Sequence, residues 1–256
     1  MDYLFTQNSI KLFFVVFLLL IMLRLVAMTT LGFLIIKKHA TEKIKIQNKP
    51  LNKKLLKKEI FCSISTMAIF AIGFAFIYAM FHANYNQIYT RPKQYGMIWL
   101  VLSPLAYVLL HDAYFYWAHR FMHIKWIFVY VHKVHHYSYN PNLWSSFSFH
   151  PFEAILETLF LVIVTFIVPI NPWALLVFVT IMYLHVFYIH SGYEFLGTGF
   201  TKHIVTKYLI TATHHNIHHS RNRSNYGLYF TFWDRLCGTT HAQYDEIFEQ
   251  VSRKKN

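Results

Sequence analysis

The sequence predicts an all-α fold: an integral membrane helical bundle with a cytoplasmic histidine-rich helical cap. Three observations carry this expectation. Hydrophobic residues make up 55% of the 256 residues and charged residues 14%, against about 25% charged in an average soluble domain. The apolar residues fall in runs near the roughly 20 residues that cross a bilayer. The 17 histidines gather where those runs end. Such a composition excludes a disordered chain, a coiled coil and an ordinary water-soluble enzyme. Strand signals are weak and no internal repeat stands out.

The elements follow in order. Residues 12–36 hold 25 residues with one charge, Arg24. The run is too long for a cleaved signal peptide and no small-x-small site closes it, so it reads as a first span. Residues 60–81 are a second span, 22 residues without charge. Residues 94–110 are a third, with Pro104 expected to kink it, and it runs directly into His111. Residues 158–193 contain 36 residues without a formal charge, punctuated by Pro169, Asn171 and Pro172. They read as a helical hairpin with arms at 152–168 and 173–190, each short for a full crossing. His150-Pro151 is expected to start the first arm or to close a loop over a site. The expected organisation is membrane helices and a basic loop over 1–94, a histidine-rich domain over 95–242 and a tail over 243–256.

Net charge is +13, from 24 Lys and Arg against 11 Asp and Glu. Nine of the lysines lie in residues 37–58, between two apolar runs, where a basic segment marks the cytoplasmic side of a membrane. A nucleic-acid partner is therefore not expected. Counting from that loop puts the amino terminus outside, gives four to five crossings, and brings residues 111–150 and everything after 190 to the cytoplasmic face. Every histidine cluster then falls on one side, at helix ends, in a multi-pass protein.

The clusters are His119 and His123, spaced H-x-x-x-H; His132, His135 and His136, spaced H-x-x-H-H; His190, closing the last apolar arm; and His215, His218 and His219, again H-x-x-H-H, with His214 just before. At the overall histidine frequency, one H-x-x-H-H is expected roughly 0.07 times per chain, and there are two. Residues three and four apart share one face of a helix, so one turn presents two or three imidazoles to one metal centre. Nine ligands exceed the four of a tetrahedral zinc and imply two metals. The two cysteines, Cys62 and Cys237, cannot supply a disulfide framework or a thiolate site. An imidazole shell suits zinc, copper, iron or nickel. A lipid offers C–H bonds rather than bonds to hydrolyse, and redox chemistry on oxygen then favours iron.

These residues resemble the fatty acid hydroxylase and sterol desaturase superfamily. The motifs are HDAYFYWAHRFMH, VHKVHH, SFHPFE, IHSGYE, HHNIHH and NYGLYFTFWDRLCGT, in that order over roughly residues 95–240. The sterol carbon-5 desaturase and alkylglycerol monooxygenase branches are closest in motif, and HSGYE is similar to the sterol-methyl oxidases. The resemblance implies a membrane-bound non-haem enzyme with two iron ions, His119, His123, His132, His135, His136, His190, His215, His218 and His219 as ligands, O2 as co-substrate and a lipid substrate: sterol, fatty acyl or ether lipid, hydroxylated or desaturated. In fatty acid hydroxylases a further histidine stands four positions before the His190 equivalent; here that position is Val186 and His185 is one place off. His185, His111 and His214 remain candidates.

Asp112, Tyr116 and Asp234 are candidates to hold ligand imidazoles, with helix capping or packing as the alternative. Tyr114, Phe115, Phe147 and Phe149 are candidate walls of a lipid pocket. No G-x-G-x-x-G follows a strand, no C-x-x-C-H is present, and the cysteines cannot hold an iron–sulfur cluster. A separate electron donor, a ferredoxin or a cytochrome b5 with its reductase, is therefore expected, docking near Lys202, Lys207, Arg221 and Arg223, with contact to lipid headgroups as the alternative role of those four residues. Two other readings are a histidine-based metal transporter, which should carry ligands at mid-membrane, and a membrane zinc hydrolase, which should show H-E-x-x-H.

Overall fold

A computed structural model describes residues 52–254, together with residues 44–47 and the single positions 30, 32, 34 and 38. The expected first span at 12–36 lies, those positions aside, outside the described residues. The described part is helical, with isolated bridges and no extended strand.

Helix α1, Lys53–His82, begins where the Asn52 side chain accepts from the backbone N–H of Lys54 and Leu55, an N-cap that satisfies otherwise orphaned donors. Its 30 residues reach about 45 Å at 1.5 Å each, beyond the roughly 30 Å of a bilayer core. The span expected at 60–81 sits within it. Lys53, Lys54, Lys57 and Lys58 form its first turns and are not part of a loop: the cap starts the helix earlier than the apolar pattern does.

Helix α2, Met97–Met122, passes the expected end at residue 110, because no proline or glycine interrupts 105–122. Pro104 stays inside the helix. Its missing N–H frees the Leu100 carbonyl, and Ser103 Oγ donates to that carbonyl at 3.3 Å. One rod thereby carries His111, Asp112, Tyr116 and His119. A short helix, α3, Lys125–Val131, leads to the next histidines.

The hairpin is α4, Pro151–Ile167, and α5, Pro172–Ile189, each within one residue of expectation. The His150 and Asn171 side chains accept from Phe152 N and Trp173 N, and a proline opens each first turn. His150 thus serves as a cap. The hairpin tip is tied down by Tyr107 Oη, which donates to Val168 O at 2.9 Å, by Trp99 Nε1 to Pro169 O at 3.0 Å, and by Asn171 Nδ2 to Tyr89 O at 3.1 Å. The α1–α2 connection and the hairpin tip therefore share one end of the bundle.

Helices α1 and α4 pack closely. A Cβ on Gly73 would clash with Thr158 Cγ2, so the absent side chain is what lets the two rods approach. The core between α1, α2, α4 and α5 is aromatic, including Phe70, Tyr107, Phe147, Phe160 and Phe178. Among the described residues, three helices, Lys53–His82, Gly96–Met122 and Pro172–Ile189, are long and apolar enough to cross a membrane. Their outer faces carry residues such as Ile98, 78% exposed, and Trp173, 73% exposed, which water would disfavour and lipid accepts.

The cap comprises α6, Ala212–Arg221, α7, Phe232–Leu236, and α8, Tyr244–Arg253. Thr211 caps α6 by accepting from His214 N. Tyr244 and Phe248 of α8 pack on Ile217 of α6.

Candidate metal centre

The end of the bundle opposite the hairpin tip assembles the histidines. His119 lies in the last turn of α2 and His123 follows it. His132 ends α3, and His135 and His136 sit in a 3-10 turn, His135–Tyr137. His190 ends α5, and His215, His218 and His219 lie on α6. All nine come together, in two groups. His119, His123, His132, His136 and His218 form one; His135, His190, His215 and His219 form the other; within each group one ligand atom per residue lies within 4.8 Å of every other. The groups adjoin: the His136 and His219 rings stack with centroids 4.8 Å apart.

The spacing works differently from the expectation of one box to one metal. His132 and His136 face the first group while His135 faces the second. His215 and His219 face the second group while His218 faces the first. Each H-x-x-H-H box serves both sites: its i and i+4 members share one and its i+3 member enters the other. Nor is the first box one helix: the chain leaves α3 at His132 and turns again at His135.

Hydrogen bonds determine which ring nitrogen is bare. His119 Nδ1 donates to Tyr226 O at 2.9 Å, His218 Nδ1 to Ser224 O at 2.7 Å, and His190 Nδ1 to Val186 O at 2.9 Å. A backbone carbonyl only accepts, so each neutral ring holds its one proton on Nδ1 and a lone pair on Nε2. His132 Nδ1 meets Glu153 Oε1 at 2.7 Å, both side chains 2% exposed. Those Nε2 atoms converge: His119 and His132 at 3.0 Å, His136 and His218 at 3.0 Å, His190 and His215 at 3.1 Å, and His215 and His219 at 3.1 Å. His119 and His218 each turn a bare Nε2 into the first group and His190 turns one into the second, and buried lone pairs aimed at one point are where an electrophile binds. The donor set fits a metal ion in each group.

Burial reinforces this. His132, His135, His215, His218 and His219 are pushed well below the usual histidine pKa by loss of water and then by neighbouring imidazoles. Burial likewise lowers His136 to about 3 and His190 to about 4. Every lone pair is available at neutral pH.

A cavity opens on both groups. His119 and His132 of the first group and His135, His190 and His215 of the second line it, with Phe70, Phe74, Phe115, Phe147, Phe149 and Phe160 among its walls. Phe115, Phe147 and Phe149 stand where expected. Tyr114 does not line it: its hydroxyl donates to Leu156 O at 2.6 Å and its ring packs against the core.

Other candidates take different places. His111 contacts the Tyr229 hydroxyl at 2.9 Å and His185 the Leu228 carbonyl at 2.6 Å. His214 lies 3.4 Å from Asp234. None joins either group. Asp234 accepts from the backbone N–H of Tyr226 and Gly227 and from the Thr239 hydroxyl, and so holds the turn whose carbonyls take His119 and His218. Asp112 accepts from Tyr229 N and Phe230 N, and Tyr116 pairs with Thr239. A Cβ on Gly227 would stand 2.6 Å from Phe230 O, so that turn needs glycine.

Three buried acids had no role in the sequence reading. Besides Glu153, Glu59 accepts from Ser138 Oγ and Asn142 Nδ2, tying α1 to the chain after His136. Glu194 accepts from Thr213 N and Oγ1, seating α6. The available signal was their rarity: 11 acids in the whole chain, each needing a partner if buried.

A family model for fatty acid hydroxylase matches residues 104–239. The chain belongs to the fatty acid hydroxylase family. Among curated relatives, it is 31% identical over 67% of its length to a Delta(7)-sterol 5(6)-desaturase of Schizosaccharomyces pombe, covering 50% of that protein. It is 27% identical over 64% of its length to a Delta(7)-sterol 5(6)-desaturase of Gibberella zeae, covering 49% of it. It is 28% identical over 69% of its length to the lathosterol oxidase of Homo sapiens, covering 56% of it. The chain spans about half the length of these curated relatives. No solved structure shows a significant match.

Proposed function

We propose that this fatty acid hydroxylase family member is a membrane-bound non-haem oxygenase with two iron ions that hydroxylates or desaturates a lipid. It uses O2 and electrons from a separate donor. The observation that carries the reading is the pair of adjoining imidazole groups, lone pairs converging at 3.0–3.1 Å, opening on one aromatic cavity. His119, His123, His132, His136 and His218 hold one ion; His135, His190, His215 and His219 hold the other. Iron there supplies the one-electron chemistry that directs dioxygen at a C–H bond. The chain does the rest. Carbonyls of Val186, Ser224 and Tyr226 and the Glu153 carboxylate keep Nδ1 protons away from the metal side. Phenylalanine walls accept an apolar body and exclude water. Among sterol, fatty acyl and ether lipids, the names of the relatives favour a sterol.

Ser63 Oγ donates to Trp144 O, and Glu59 binds Ser138 and Asn142, so the lysine-rich start of α1 stands at the histidine end of the bundle. Under the positive-inside rule this supports a cytoplasmic metal site. Exposed Lys202, Arg221 and Arg223 there suit an acidic ferredoxin or cytochrome.

The test is reconstitution. Purified protein with iron, O2 and a panel of lathosterol, palmitoyl lipid and alkylglycerol should oxidise one lipid class only after a reductase chain is added. Oxidation of none, with iron bound and electrons supplied, would refute the reading.

A further inference from the structure

The cavity beside the histidines is walled by apolar rings, yet one acid lines it without an assignment. Glu157 stands one helical turn after Glu153 on α4 and its side chain faces the same cavity. Glu153 is committed to His132. Glu157 makes no hydrogen bond or ion pair with any described residue. The neighbouring polar groups are already used: Thr158 Oγ1 donates to Ala154 O at 2.7 Å and His111 meets Tyr229. The exception is Ser146, whose Oγ is buried in the same lining and lacks a partner.

An unpaired carboxyl in an apolar wall is costly. A cavity meant for a bare hydrocarbon would gain nothing from it. Few, well-placed polar groups in an otherwise apolar pocket are what orient a ligand. The position is also informative. Residues four apart on a helix have Cβ atoms about 5–6 Å apart, and Glu153 touches a histidine of the first group. A polar group meeting Glu157 is therefore held within a few bonds of the carbon facing the histidines, not at the far end of the molecule.

We propose that Glu157 is the group that reads the substrate: it accepts a hydrogen bond from a hydroxyl that the lipid carries within a few bonds of the reacting carbon. The substrate is thus an apolar lipid with an alcohol near its reactive end, and Ser146 supplies a second polar contact. Lipids of the same shape without the donor are rejected because they leave the carboxyl unpaired. This rests on the lipid-oxygenase reading and adds a residue and a chemical requirement to it.

The test uses matched probes on the full-length protein in detergent: lathosterol and its methyl ether, and an alkylglycerol and its dimethyl ether. Affinities, iron content and melting temperature are measured for wild type, Glu157→Leu and Glu157→Gln. One such hydrogen bond is worth about tenfold in affinity, so wild type should prefer one alcohol to its ether by about that factor. Glu157→Leu should erase the preference by weakening the alcohol alone. Its iron content should stay unchanged and its melting temperature should not fall, because an unpaired carboxyl is being replaced by an apolar group. Glu157→Gln, which keeps an acceptor, should keep part of the preference. A full preference in Glu157→Leu, or none in wild type with lipid bound, would overturn the proposal and leave the oxygenase reading standing. Failure of wild type to bind any of the four lipids would overturn both.

Discussion

Replacing Glu153 by leucine is expected to loosen one metal site and spare the other. Its carboxylate meets His132 Nδ1 at 2.7 Å with both side chains 2% exposed. Leucine removes the acceptor and leaves a buried N–H unpaired, a cost of about 1–3 kcal/mol. It also frees the ring to rotate or to move its proton to Nε2, where it would block ligation. Loss of such a partner lowers metal affinity by about 10–100-fold. His132 belongs to the group with His119, His123, His136 and His218, whereas Glu153 hydrogen-bonds no histidine of the other group. Titrating iron-loaded protein with a chelator should therefore show two tight sites in wild type and one of them weakened in Glu153→Leu. Glu153→Gln, whose amide oxygen still accepts, should fall between them. Two sites of wild-type affinity in Glu153→Leu would refute the claim that this acid orients a ligand.

Further outcomes follow from the same geometry. His135→Ala and His218→Ala each remove a ligand from a different group, so each should abolish turnover and leave close to one tightly bound iron, measured by metal analysis, with membrane insertion intact. Metal-free protein should lose stability as pH falls. His190 and His136 drop to about 4 and about 3 in the folded state from about 6.5 unfolded. The unfolded chain then binds more protons below about pH 6.5. Each such histidine removes up to about 1.4 kcal/mol per pH unit through that window, read as a falling melting temperature between pH 7 and pH 4; a flat profile would count against neutral imidazoles. Gly73→Leu should separate α1 from α4, since even a Cβ would clash with Thr158, and lower stability by about 1–3 kcal/mol. Labelling of tags in residues 37–58 from the cytoplasmic side only is expected, and labelling from outside would reverse the orientation.

Much of the site was legible because local chemistry carries it. Helix starts at Pro151 and Pro172 follow from prolines preceded by capping residues. The nine histidines stand out because their spacing matches helical neighbours and chance does not supply two such boxes. The division of labour was not legible: His135 and His218 leave their box-mates because of where α3 stops and how α6 faces it, which spacing does not encode. Glu59, Glu153 and Glu194 were missed for a related reason. Their partners lie 79, 21 and 19 residues away, so only the folded chain reveals that these acids are spent on holding the histidine-bearing segments. Asp112 and Asp234, candidates to hold ligand imidazoles, bind the 226–230 backbone and not the clustered imidazoles. Tyr114 drew attention as an aromatic of the right helix, yet its hydroxyl is drawn to a carbonyl of α4 and turns the ring away from the cavity lining.

Nine imidazoles are proposed to hold two metal ions side by side. X-ray absorption at the iron edge, on protein of known iron content, tests it most directly. The expected result is two irons per chain, a nitrogen and oxygen shell with no sulfur, since Cys62 and Cys237 join neither group, and scattering from a nearby second metal. A single metal per chain, or sulfur in the shell, would contradict it.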